Sequence, residues 1–132
     1  PCARELCLSS AMHDDLHDAL LAANEAFYDA FDTGDMNAME SLWATKFEVA
    51  CLHPGAPPLF GREAVIESWA GILSGSGRPA IQCHNARAQV LPESGFVVCE
   101  EILPGGRLLA TNIFVYEDGV WRMAHHQAGP GW

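Results

Sequence analysis

The C-terminal third of the chain is cut by three turn signals, Pro92-Glu93-Ser94-Gly95, Pro104-Gly105-Gly106 and Asp118-Gly119, each lying between runs of mostly apolar residues. This punctuation predicts strands over 81–91, 96–103, 108–116 and 120–127, joined as successive hairpins. Asp118-Gly119 is the sharpest signal, because both residues tolerate the positive φ that a two-residue hairpin turn demands. A sheet of this kind buries one face, and the rest of the chain must supply the cover.

From Asp14 to Thr33, Leu16, Leu20, Ala23, Phe27 and Phe31 recur at steps of three and four, while Asp18, Glu25, Asp29 and Asp32 share another face. That is an amphipathic helix packed on one side. Gly34 suits a left-handed stop, and Asp35 caps a second short helix carrying Met36, Met39 and Trp43. The run from Phe47 to His53 reads as a strand that Pro54-Gly55 and Pro57-Pro58 cannot continue. Gly61-Arg62-Glu63 then opens a third helix, with Val65, Trp69 and Ile72 on one face, which ends at Ser74-Gly75-Ser76-Gly77. The expectation is an α+β fold with three helices in the N-terminal half packed on a strongly curved, mostly antiparallel sheet. Residues 1–13 read as a loose arm before one domain over 14–132.

Composition narrows the function. The 132 residues are 49% hydrophobic, enough for one core without staples. Seventeen acids against seven Lys and Arg leave a net charge of -10, which disfavours nucleic acid and anionic membrane surfaces. No apolar run is long enough to span a bilayer and no basic-then-apolar leader opens the chain, so a cytoplasmic location is expected. Cys2, Cys7, Cys51, Cys83 and Cys99 form neither a CxxC pair nor a zinc spacing and read as reduced thiols.

Counting back from the Asp118-Gly119 turn pairs Glu117 with Val120, Tyr116 with Trp121, Phe114 with Met123 and Asn112 with His125. Extending the count sets Cys99 opposite Asn112 and Glu101 opposite Ala110, all on one face with Val90, Ala88, Ala86 and His84. The other face carries Arg87, Glu100, Val98, Thr111, Ile113, Arg122 and His126, with Arg87 and Glu100 as a cross-strand ion pair and the whole suited to a homodimer contact. Tyr28, Trp43 and Trp69 from the helices close a pocket over the first face, with His53 at its mouth; Cys99 and Asn112 line it. Glu101 and His125 are the candidate catalytic pair, a buried carboxylate whose pKa would rise and a histidine that titrates near neutrality. Against this stand plainer roles: Trp43 and Trp69 as core, Glu101 at a sheet edge, His125 as a structural histidine. His13 and His17 sit one helical turn apart but lack companion ligands, so no metal and no cofactor is expected. No nucleophile elbow, phosphate loop or dinucleotide fingerprint is present.

The order of these elements resembles the SnoaL-like branch of the nuclear transport factor 2-like (NTF2-like) superfamily. The resemblance covers nearly all of 14–128. It rests on Trp43, Leu52-His53-Pro54-Gly55, Gly61-Arg62-Glu63-Ala64-Val65 with Trp69, and the final Gly119-Val120-Trp121-Arg122 to His125-His126 segment. It implies a cone, a bent sheet wrapped round a helix-lined cavity, that dimerises through the sheet and binds a small, largely apolar molecule. Relatives include ketosteroid isomerases, polyketide cyclases, limonene epoxide hydrolases and dehydratases. They also include noncatalytic transport factors and the association domain of calcium/calmodulin-dependent kinase, so the implied roles are an isomerase, dehydratase or hydrolase, or else an interaction module. The segment Trp121 to His126 is similar to the tail of that association domain, whereas Gln127-Ala128-Gly129 departs from its basic ending.

Overall fold

The computed structural model describes residues 10–131. Its first helix, α1, runs Ser10–Thr33 and buries Leu20, Asn24, Phe27, Tyr28, Ala30 and Phe31 on one side. The helix starts four residues before the expected Asp14, so residues 10–13 of the expected arm are helical; the remainder of that arm lies outside the described residues, as do Cys2 and Cys7. Gly34 ends the helix at φ 67. Asp35 caps α2 (Met36–Leu42) by accepting from the Ala38 N–H at 3.0 Å. At this junction the Gly34 and Asp35 N–H groups reach back to the carbonyls of Phe31 and Ala30, and Arg78 adds further donors. Its guanidinium donates to Phe31 O, Asp32 O and Leu73 O, tying the end of α1 to the end of α3 (Arg62–Ser74).

Six strands form one sheet in the order β2-β1-β6-β5-β4-β3. Four are the expected ones: β3 (Gln82–Leu91), β4 (Ser94–Leu103), β5 (Gly106–Glu117) and β6 (Val120–Pro130). All three hairpin loops are two residues long, with Glu93, Gly105, Asp118 and Gly119 at positive φ. The strand expected over 47–53 is only β1 (Ala50–Leu52), and Phe47 is exposed. It pairs with an unexpected β2 (Leu59–Phe60) and lies parallel to β6. The three helices cover one face, and the fold is an α+β cone.

Register is where the expected pairing and the observed one part. β4 and β5 pair Val97 with Asn112, Cys99 with Ala110 and Glu101 with Leu108, two residues away from the expected match. A slip of two preserves side-chain parity, so Cys99, Glu101 and Asn112 still face inward. In β5–β6 the pairs Tyr116–Trp121 and Phe114–Met123 hold, but the next is Ile113–His125. Ala124 is an extra residue there, and this bulge reverses the alternation: Trp121 and Met123 are buried before it, His126 and Ala128 after it. A second irregularity in β3, between His84 and Arg87, has Asn85 at φ 55. It turns Cys83 inward and leaves His84 exposed, contrary to expectation. Arg87 faces Val98, so the expected ion pair is absent; Glu100 instead bonds Arg107 at 2.8 Å and Asn85 at 2.6 Å. No helix among the described residues is long and apolar enough to cross a membrane.

Candidate functional site

Between α1, α3 and the inner face of the sheet lies a cavity of about 210 Å³. Phe27 and Phe31 of α1, Trp69 and Ile72 of α3, and Leu103 and Leu108 of the sheet make it apolar. Its polar groups are Tyr28, His53, Glu101 and His126. None of its lining residues is a lysine or arginine. His53, just past β1, forms part of the wall because Pro54 ends the strand there; its Nε2 lies 3.0 Å from Ser68 Oγ and its ring meets Trp69 edge-on.

Tyr28, Glu101 and His126 belong to one buried network. Tyr28 Oη donates to Glu101 Oε2 at 2.7 Å and lies 3.3 Å from Cys99 Sγ. Asn112 Nδ2 donates to Tyr28 Oη at 3.2 Å and to Asn24 Oδ1 at 2.8 Å. Asn112 Oδ1 is 2.5 Å from His126 Nδ1, and His126 Nε2 is 3.9 Å from Glu101 Oε2. The imidazole of His126 sits against Phe27 and Trp69, with ring centroids 4.9 and 5.8 Å away.

Burial sets the electrostatics. Glu101 is pushed above the usual carboxylate range by desolvation, only partly opposed by the Tyr28 hydrogen bond. His126 is driven down to about 3 by complete burial, reinforced by repulsion from His53 and His125. Tyr28 is raised far from ionisation by burial and by the charge of Glu101, and the Cys51 thiol is pushed up to about 12 for the same two reasons. A carboxyl whose proton affinity is raised thus shares a wall with an imidazole that stays neutral, an arrangement suited to giving a proton at one atom and taking one at another.

Of the residues expected at the site, Tyr28, His53, Trp69 and Glu101 line the cavity. Cys99 and Asn112 stand behind the wall and touch Tyr28. Trp43 does not reach it: 1% exposed, it bridges to Met123 in the closed part of the core. His125 is also displaced, because the bulge at Ala124 sends it to the outer side beside Ile113 and puts His126 in its place. Strand parity alone could not reveal this. Asn24 was legible in principle, since a lone asparagine falls on the apolar stripe Leu20, Phe27, Phe31 at steps of four, three and four. Cys51, Cys83 and Cys99 are free thiols. No group of three or more His, Cys, Asp or Glu among the described residues is arranged to hold a metal.

Comparison with known proteins agrees with this architecture. Residues 20–130 match the family model for the SnoaL-like domain. A candidate dehydratase of the NTF2-like family from Streptomyces avermitilis superposes with a TM-score of 0.83 at 30% identity, over 90% of this chain and 98% of that one. A candidate calcium/calmodulin-dependent protein kinase type II association domain from Thiobacillus denitrificans gives 0.74 at 34% identity, over 84% and 94%. The F-box protein SKIP8 of Arabidopsis thaliana is 29% identical over 112 residues, 83% of this chain but 48% of its own length, so the chain spans about half of that relative.

Proposed function

The chain belongs to the SnoaL-like family of NTF2-like proteins, and on that premise we propose that its cavity binds a small, largely apolar, uncharged molecule and moves a proton on it. The observation that carries this is the pairing of Glu101 and His126, 3.9 Å apart on a largely apolar wall, with their proton affinities displaced in opposite directions. Of the three reaction classes the fold accommodates, isomerisation, dehydration and hydrolysis, dehydration uses both groups together. Glu101 gives its proton to a ligand hydroxyl, which leaves as water. His126 takes the proton from the neighbouring carbon, whose bonding pair closes the double bond. Transfer from the imidazolium to the carboxylate then restores both. The absence of a cationic lining residue selects against anionic ligands, whose charge would be desolvated without a partner.

Incubation of the protein in D₂O with a panel of small β-hydroxy ketones tests this, with deuterium uptake and water loss followed by mass spectrometry. Wild type should turn over at least one member, and Glu101→Gln should lower the rate by about 10²- to 10⁴-fold. Equal rates in the two proteins would overturn the assignment.

A second reading has its own observation. Val98 and Ile113 on the outer sheet face are 43% and 38% exposed, and the chain shares 34% identity with a candidate kinase association domain. Both support homodimerisation through the sheet, with the domain serving as an assembly module. Sedimentation velocity separates the two: a dimer is compatible with the enzyme, while a larger closed ring with no ligand uptake favours assembly.

A further inference from the structure

Proton transfer by His126 requires a free lone pair on the nitrogen facing the cavity, and the surroundings of the ring decide which nitrogen that is. We infer that Asn112, held by Asn24 and Tyr28, is a positioning residue that keeps the His126 proton on Nδ1 and leaves Nε2 bare toward Glu101. The inference deepens the proton-transfer reading above and rests on it for its functional meaning.

The hydrogen bonds permit one consistent direction. Tyr28 has a single proton, and the 2.7 Å contact commits it to Glu101 Oε2. Tyr28 Oη can therefore only accept from Asn112, so the Asn112 atom 3.2 Å away is the amide nitrogen. The same nitrogen donates its second hydrogen to Asn24 Oδ1 at 2.8 Å, and Asn24 in turn directs its own Nδ2 at Cys83 Sγ, 3.6 Å away. With both amide hydrogens used, Asn112 turns its oxygen to His126, and only a protonated Nδ1 can occupy the 2.5 Å contact. Asn24, Asn112 and His126 are 1%, 0% and 3% exposed, so water does not compete for these groups. At 3.9 Å, Glu101 is too far to occupy Nε2, which stays open to a ligand proton.

The same geometry makes Asn112 irreplaceable by an apolar isostere. Without its oxygen nothing holds the proton on Nδ1, and a proton on Nε2 instead would close the acceptor. A carboxylate at 112 would instead retain the second proton, converting the ring to imidazolium.

Long-range ¹H–¹⁵N spectra of uniformly labelled protein at pH 7 read the tautomer directly and need no substrate. Wild type should show His126 with a protonated Nδ1 and an unprotonated Nε2. Asn112→Leu should exchange the two assignments, and Asn112→Asp should bring both nitrogens to the protonated position. An Nε2–H tautomer in wild type would overturn the inference even if both variants failed to fold, and so would an unchanged spectrum in a folded Asn112→Leu protein. Failure here is distinct from failure of the proton-transfer reading, which is judged by the effect of Glu101→Gln on turnover.

Discussion

His126 must enter the folded protein without a proton, and this makes stability depend on pH in a way that one substitution can isolate. In the unfolded chain the imidazole titrates near its ordinary 6.5; in the cavity wall it is held at about 3. A lowered folded value means that the unfolded state binds the proton first. The contribution is therefore fully present above pH 6.5 and is lost as pH falls from there toward 3. Between pH 8 and pH 5 a single such group withdraws about 2 kcal/mol of stability. His126→Gln removes the titration while keeping an amide N–H for Asn112 Oδ1. Its stability at pH 8 should be lower than wild type, because the aromatic packing on Phe27 and Trp69 is lost, but the gap should narrow by about 2 kcal/mol on going to pH 5. His53 and His125, whose values burial also lowers, act in the same direction and are common to both proteins. Glu101, raised by burial, acts oppositely and gains stability as it protonates; it too is present in both. Urea unfolding at pH 8, 7, 6 and 5 measures the difference. Parallel curves for the two proteins would refute the account of a neutral, desolvated His126.

Three further substitutions address other parts of the structure. Tyr28→Phe deletes the donor to Glu101 and the acceptor for Asn112, so thermal or urea unfolding should show a loss of about 1–3 kcal/mol, and the Glu101 midpoint should move further up. Leu108→Trp drives an indole into the 210 Å³ cavity, and apolar probes such as cyclohexanol should no longer bind while far-ultraviolet circular dichroism is retained. Gly95→Ala places a Cβ 2.7 Å from Leu20 Cδ2 and 3.0 Å from Gln89 O, where helix and sheet meet, and should destabilise by about 1–3 kcal/mol in urea.

The helices and hairpins could be read from the sequence because each has a local cause: the stripe from Leu16 to Phe31, the Gly34-Asp35 stop and cap, the Asp118-Gly119 turn. The inward placement of Glu101, Cys99 and Asn112 survived a two-residue error in register, since parity has a period of two. The choice between His125 and His126 did not, because it depends on the single extra residue Ala124, and nothing in local composition marks a bulge there. Trp43 illustrates a different limit. An aromatic residue at the end of a short helix serves core and cavity equally well in sequence, and only its burial away from the cavity lining assigns it to the core. The short β2 strand escaped notice because two residues among prolines carry no periodicity.

The central claim is that Glu101 is a carboxyl of raised proton affinity in the wall of a ligand cavity, and its carboxyl carbon reports on both halves of that statement. Followed by carbon NMR from pH 3 to pH 9, with cyclohexanol absent and then saturating, Glu101 should titrate above the usual carboxylate range and move higher still when the probe displaces water from the cavity. An ordinary midpoint, unmoved by saturating probe, would contradict the account.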